Sequence, residues 1–278
     1  LDVNTTISHT RSTTMTYKVR QRVYKGADGS GGEITAYAMT SGSISVPANT
    51  LVSARLTNAS LSPTPTPWSV SDPNCYMLRT EVLDSTGAVA LLSKTSIIGF
   101  RKFEVAGQNF KLNGSPIYLF GLHRTPPGRI LAGIYNDQSF IDQHIARLKA
   151  ANVNMVRIAI PDANAIPWLD ACDKAGIMVF CGPYDTNNVL IENEDRLLEY
   201  VNAVNAHPCV VAWVTGNEWS SSSGPDRTNL YNYIKSLDPS RPVFLADSAG
   251  FYAGGGVDPA ASTGSNFLDH HKYNGWYS

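Results

Sequence analysis

The stretch HPCVVAWVTGNEW, residues 207–219, constrains the fold more than any other part of this chain. Five consecutive apolar residues, Val210, Val211, Ala212, Trp213 and Val214, give way to the polar Thr215, Gly216, Asn217 and Glu218. A short, uniform apolar run entered from a helix marks a strand buried on both faces, which means a parallel sheet flanked by helices. Its C-terminal end carries a carboxylate. In α/β barrels the reacting groups gather at the C-terminal ends of the strands, so Glu218 is a catalytic candidate by position. The competing reading is a solvated loop glutamate after a core strand.

The neighbouring sequence sustains the same alternation. Helical periodicity falls at Phe140, Ile141, Ile145 and Leu148, again over 168–175, at Leu197, Leu198, Val201 and Val204, and over 230–237. Strands are expected at 117–122, 155–160, 177–181, 210–214, 243–246 and 267–271, six in all at the spacing of βα units. A closed barrel of this kind needs eight. Gly176 suits a helix C-cap, and Asn193 or Asp195 an N-cap for the third helix. Residues 248–266 have no helical period and read as an irregular loop.

Residues 1–103 follow a different rule. Short segments rich in β-branched and aromatic residues, at 16–24, 34–39, 51–56, 76–83 and 89–97, alternate with turn chemistry such as Gly29-Ser30-Gly31-Gly32 and Asp84-Ser85-Thr86-Gly87. About seven strands in about a hundred residues is the size of an immunoglobulin-like β-sandwich. The proline-rich PTPTPW, 63–68, reads as a rigid edge connection. FKLNGSPI, 110–117, reads as a hairpin with an Asn-Gly turn. The expected organisation is therefore a sandwich over 1–103 and an incomplete TIM (β/α)8 barrel, first six strands only, over 104–278.

Composition removes several function classes. Lys plus Arg, 22, balance Asp plus Glu, 23, so no nucleic-acid surface is expected. No apolar run reaches membrane-spanning length, so no membrane partner is expected. The first residue is Leu, which reads as a processed chain or a piece of a longer one. With 16% charged residues and three sequons, at Asn4, Asn58 and Asn113, the chain reads as a secreted glycoprotein. Cys75, Cys172, Cys181 and Cys209 show no ligand spacing, so no metal site is expected; buried thiols are the default, with one disulfide left open.

The order of a sandwich ending in GFRKFEV, then FKLNGSPIYLFGLH, NMVRIAIP, LDACDKAGIMVF, NAHPCVVAWVTGNE, SLDPSRPV and LDHHKYNGWYS resembles glycoside hydrolase family 2. Within it the β-glucuronidases are most similar, with β-galactosidases and β-mannosidases as relatives, and PWSVSDPNCYMLRTEVLDSTG extends the resemblance upstream. The resemblance implies a retaining enzyme working on a carbohydrate substrate with two glutamates and no cofactor. One carboxylate attacks the anomeric carbon while a protonated carboxyl about 5 Å away donates to the leaving oxygen. It implies Glu218 as that acid/base and Asn217 as donor to the sugar 2-hydroxyl. Arg157 would steady the carboxylates or serve as a structural ion pair. Tyr273 and Trp276 would line the sugar pocket or simply pack at the rim. His123 would bind sugar or be structural, and His207, at the opposite end of its strand, is structural.

The departures bear on specificity. Thr125 and Ile160 stand where glucuronidases tend to carry histidines, and Cys181-Gly182 where an Asp-Glu pair usually ends strand three. Strands seven and eight, the nucleophile and the family's Asn-x-Lys motif have no counterpart before Ser278, and the family's jelly roll none after Leu1. A further segment, or a homo-oligomer, is expected to close the barrel. Two functions follow: an exo-acting β-glycosidase of glucuronidase or galactosidase type, or an inactive extracellular structural or carbohydrate-binding module. The 278 residues alone are expected not to turn over, for want of the nucleophile.

Overall fold

Strand-forming residues at every second position build the first part of the chain. The computed structural model describes residues 1–107, 109–124, 137–159, 166–182, 194–214 and 227–244. The chain divides into two units, Leu1–Pro67 with Asn74–Phe100, and Trp68–Pro73 with Arg101–Ser278. The division at Phe100 falls three residues before the expected 103, and the sequence of the first unit is interrupted by six residues that belong to the second.

In the first unit, β1 (Asp2–Ile7) pairs antiparallel with β5 (Val52–Thr57). The other sheet is built on β2 (Met15–Lys25), with β3 (Met39–Thr40), β4 (Ile44–Val46), β6 (Tyr76–Leu83) and β7 (Ala90–Ile98), in the order β3-β2-β6-β7 with β4 pairing the start of β2. Tyr17, Val19, Gln21 and Val23 alternate along β2 and are all buried, as a half-buried strand requires. Ile7, Tyr17, Val19 and Val46 form the core, with Val52, Ala54, Leu56 and Val82 packed against it, so the two sheets are layers over one apolar interior. Gln21 is buried without penalty because its amide donates to Thr5 Oγ1 at 3.0 Å and accepts from Thr80 Oγ1 at 2.7 Å. The segment expected as a strand over 34–39 is instead a 3₁₀ turn, Thr35–Tyr37, followed by β3. Tyr37, 1% exposed, drives the turn by burying its ring while its hydroxyl donates to Pro63 O.

The second unit opens with β8 (Phe103–Ala106), β9 (Asn109–Leu112) and β10 (Ser115–Ile117), an antiparallel meander. The expected Asn113-Gly114 turn joins β9 to β10, both residues with positive φ, 52° and 83°. A parallel sheet follows in strict sequence order: β11 (Gly121–Arg124), β12 (Met155–Ala159), β13 (Met178–Gly182), β14 (Val210–Val214) and β15 (Val243–Phe244). Between its strands lie α1 (Gln138–Ala150), α2 (Ile166–Ala175), α3 (Glu194–Val204) and α4 (Arg227–Leu237). Consecutive strands that are also spatial neighbours are the winding of a barrel. The expected strand over 117–122 breaks at 118–120, where Asn154 takes over the backbone, accepting from Phe120 N at 2.9 Å and donating to Tyr118 O at 2.8 Å. The expected strand at 267–271 and the expected cap Asn193 lie outside the described residues, as does the side chain of the other expected cap, Asp195. All four cysteines are buried and none is in a disulfide, which removes the disulfide left open by the sequence.

Trp68, grouped above with a proline-rich connection, is a core residue of this unit. It is fully buried, its indole N–H donates to Asp173 O at 2.8 Å, and its carbonyl accepts from Asn113 Nδ2 at 3.0 Å. Gly176 sits at φ 69°, and a Cβ there would lie 2.4 Å from Val70 O.

Strand β14 is held at its start by buried polar groups. Asp173 receives Cys209 N at 2.8 Å and lies 2.6 Å from His207 Nδ1. Arg241 donates to Val210 O at 2.5 Å, Asn205 O at 2.7 Å and Asp238 at 2.6 Å, and Arg101 donates to Pro208 O and Val210 O. Trp213 Nε1 completes the set by donating to Asp238 at 2.9 Å. Burial alone would raise the Asp238 pKa, but the Arg241 charge and the bonds from Ser240, Arg241 and Trp213 outweigh it and bring it down to about 2.

Two outcomes are expected from this unit. A carboxylate whose pKa falls from 3.8 to about 2 on folding contributes roughly 2 kcal/mol above pH 4, lost as pH falls through 2. Thermal unfolding followed from pH 6 to pH 2 should show that loss, and Asp238→Asn should be less stable at pH 6 with a flatter acid limb. Gly176→Ala, which adds a Cβ against a carbonyl in a left-handed conformation, should destabilise by about 2 kcal/mol or more in chemical denaturation.

Candidate active site

The parallel sheet has two faces, and side-chain partners tell them apart. Cys181 Sγ lies 2.9 Å from Tyr200 OH on α3, and the Trp213 ring lies 6.3 Å from the Tyr200 ring, so Cys181 and Trp213 face the helices. Phe180, one residue from Cys181, faces the other way, where its ring meets Phe244 at 4.6 Å and Phe103 at 6.1 Å. That is the interior. Phe103 in turn stacks on Phe110 at 5.7 Å. Aromatic rings from β8 and β9 therefore fill the interior beneath β13 and β15.

Register carries the interior face across to the polar candidates. His123, Arg157, Phe180 and Ala212 are successive partners in β11, β12, β13 and β14, and residues in register on parallel strands share a face. His123 and Arg157 thus stand side by side on the interior face, His123 exposed and Arg157 half-buried. A guanidinium beside an imidazole on the inner wall is a donor pair suited to carboxylates or sugar hydroxyls. Toward the C-terminal end the next registered pair is Ala159 with Gly182, so β13 offers no side-chain hydrogen-bonding group to this wall above Phe180. Cys181, one of the departures noted above, belongs to the helix side, where burial raises its pKa to about 11 despite the Tyr200 hydrogen bond.

Asn217 and Glu218 follow β14 by three and four residues in the sequence and lie outside the described residues, as do Tyr273 and Trp276. Of the residues singled out from the sequence, the structure brings together His123 and Arg157. It places His207 where expected, buried at the start of β14 and tied to Asp173. Asp170, Asp173 and His207 hold their ligand atoms within 4.8 Å of one another, yet Asp173 already receives a backbone N–H and faces the imidazole, which accounts for the cluster as a strand anchor. Asp173 and Arg241 were missed in the sequence, since a charged residue on an amphipathic helix or in a loop looks solvated until its strand partner is known.

Comparison with known proteins bears on this arrangement. Residues 103–277 match the family model described as glycosyl hydrolases family 2, TIM barrel domain. A beta-galactosidase of Klebsiella pneumoniae is 31% identical over 212 residues, 72% of this chain and 19% of its own length. A beta-galactosidase of Vibrio cholerae is 30% identical over 211 residues, 71% of this chain and 19% of its own. The chain thus spans about a fifth of these relatives. Among solved structures, Bacteroides uniformis beta-glucuronidase superposes with a TM-score of 0.76 at 17% identity over 99% of this chain and 34% of its own. A family 2 glycosyl hydrolase of Bacteroides cellulosilyticus superposes with a TM-score of 0.69 at 20% identity, over 91% of this chain and 35% of that one. The structural likeness carries the fold, and the family model covers well over half of the sequence: the chain belongs to glycosyl hydrolase family 2.

Proposed function

We propose that the protein to which this chain belongs is a retaining exo-β-glycosidase, of β-galactosidase or β-glucuronidase type, with Glu218 as acid/base. The observation that supports this most is the continuity between β14, ending at Val214, and the Thr215-Gly216-Asn217-Glu218 that follows it inside a region matching the family barrel. Glu218 in its acid form donates a proton to the glycosidic oxygen and, once the sugar has moved to a second carboxylate, takes one from water. Asn217 donates to the 2-hydroxyl as positive charge builds at the anomeric carbon. Arg157 and His123, neighbours in register, hold the carboxylates and the sugar, and Tyr273 and Trp276 complete the pocket. The first unit is read as an immunoglobulin-like sandwich, the protein as secreted, and the barrel as closed by further polypeptide.

In the full-length protein, Glu218→Gln should lower kcat on β-glycosides with poor leaving groups by roughly 10³-fold while sparing the bond-breaking step on dinitrophenyl glycosides. Equal loss on both would remove Glu218 as proton donor. No hydrolysis of any aryl β-glycoside by the wild type would favour the inactive module instead. Arg157→Gln should reduce kcat/KM by about 10²-fold, with chemical denaturation separating lost site geometry from lost stability.

A further inference from the structure

Strand β14 carries one residue more than its neighbour pairs. Val179 of β13 is in register with Val210, but the next residue, Phe180, is in register with Ala212 and Cys181 with Trp213, so Val211 is the extra residue of a β-bulge. The consequence is a change of face. Val179 lies two residues before Cys181 and so on the helix side, and Val210 with it; in a regular strand Ala212 would share that side. Instead Ala212 joins Phe180 on the interior face, and Trp213 joins Cys181 against Tyr200 of α3.

The sequence of the strand does not choose this register. Val210, Val211, Ala212, Trp213 and Val214 are all buried and all apolar, so shifting the strand by one residue leaves apolar side chains on both faces. A strand buried on one face has its register fixed by alternation, and here there is no alternation to fix it. Polar groups do so instead. Arg241 Nε donates to Val210 O at 2.5 Å, just before the extra residue, and Arg101 donates to the same carbonyl. Beyond the extra residue, Trp213 Nε1 donates to Asp238 at 2.9 Å, and Asp238 is itself bound to Arg241 at 2.6 Å. Trp213 N donates to Pro242 O at 3.0 Å, and the Arg241 guanidinium lies 5.7 Å from the Trp213 ring. One ion pair thus grips β14 on both sides of Val211. A slip of one residue moves each backbone group about 3.3 Å and turns Trp213 toward the interior, away from Asp238.

We infer that the Arg241–Asp238 pair, with Arg101, is a register lock: it holds the bulge at Val211 and so decides which side chains β14 turns to the barrel interior. Its members are positioning residues, acting through a strand to which none of them belongs. Their bearing on turnover rests on the reading of Glu218, four residues after Val214 in the sequence, as acid/base. A proton donor must stand within hydrogen-bond reach of the glycosidic oxygen, and a slip of one residue in β14 shifts the chain that follows it. The lock itself needs no such reading, because its contacts are all with residues up to Trp213.

Fluorine NMR of the full-length protein, with 5-fluorotryptophan in place of Trp213 alone, tests this. The protein with Arg241 and Arg101 intact should give one resonance. Arg241→Lys, which keeps the charge but loses the planar fork, should give two, from the native and the slipped strand. Its kcat on aryl β-glycosides should fall about twofold or more, in proportion to the slipped fraction, with KM unchanged. One resonance and an unchanged kcat per folded molecule, the result of lost stability alone, would overturn the inference. Should Arg241→Lys fail to fold, Arg101→Lys is read by the same two measurements. Deletion of Val211 then decides: with no extra residue the strand has one register, so Arg241→Lys in that background should fold and give one resonance. A double variant that stays unfolded, or still shows two resonances, would sink the lock. Two resonances in Arg241→Lys, with no hydrolysis even by the wild type, would uphold the lock and remove the enzyme reading instead.

Discussion

The fixed start of β14 is the constraint on which the second unit depends. Two guanidiniums, Arg241 and Arg101, converge on the Val210 carbonyl, while Asp173 takes the Cys209 N–H and faces His207. Buried charge is tolerated only when it is paired and hydrogen-bonded, and here each group bonds to backbone or to an opposite charge. The clamp acts at the N-terminal end of the strand. Trp213, near the other end of β14, is tied to the same clamp through Asp238, and it is at the C-terminal ends of the strands that barrel enzymes generally carry their chemistry.

The interior follows from the same geometry. Phe110, Phe103, Phe180 and Phe244 form a continuous run of ring contacts at 4.6 to 6.1 Å, all of them meeting on the inner face. Among the described residues, these rings occupy that part of the interior. His123 and Arg157 then become the polar side of the wall, and the β13 side, with Phe180 and Gly182, the apolar one. An asymmetric wall of this kind suits a ligand with a polar edge and an apolar face.

Much of this was legible in the sequence because it was written locally. The run at 210–214 became β14 with those bounds, the Asn-Gly pair became a two-residue turn, and Gly176 took the left-handed conformation of a helix end. Elements decided by distant partners were not legible. Tyr37 turned a strand-like segment into a 3₁₀ turn through a carbonyl 26 residues away, and Asn154 ended a strand through groups more than thirty residues back. Trp68 looked like part of a connection because its partner, the Asp173 carbonyl, lies 105 residues on. The candidate site was less legible: the register of His123 with Arg157 needed the sheet, and Glu218, singled out by its place after residues 210–214 and by the family resemblance, lies outside the described residues.

The sequons show why a pattern in the sequence must be weighed against what the fold asks of the same atoms. Asn113 donates its side-chain amide to Trp68 O and accepts from Lys102 N while holding positive φ in the turn, so its nitrogen serves the fold. Asn58 donates to Ala36 O at 3.3 Å and accepts from Ser60 N at 3.2 Å. Asn4 stands exposed on the outer face of β1, opposite Arg55. A glycan replaces one of the two amide hydrogens, so at Asn113 and Asn58 the other would have to keep the bond to the fold. Of the three sequons, Asn4 is thus the one where a glycan would ask least of the fold.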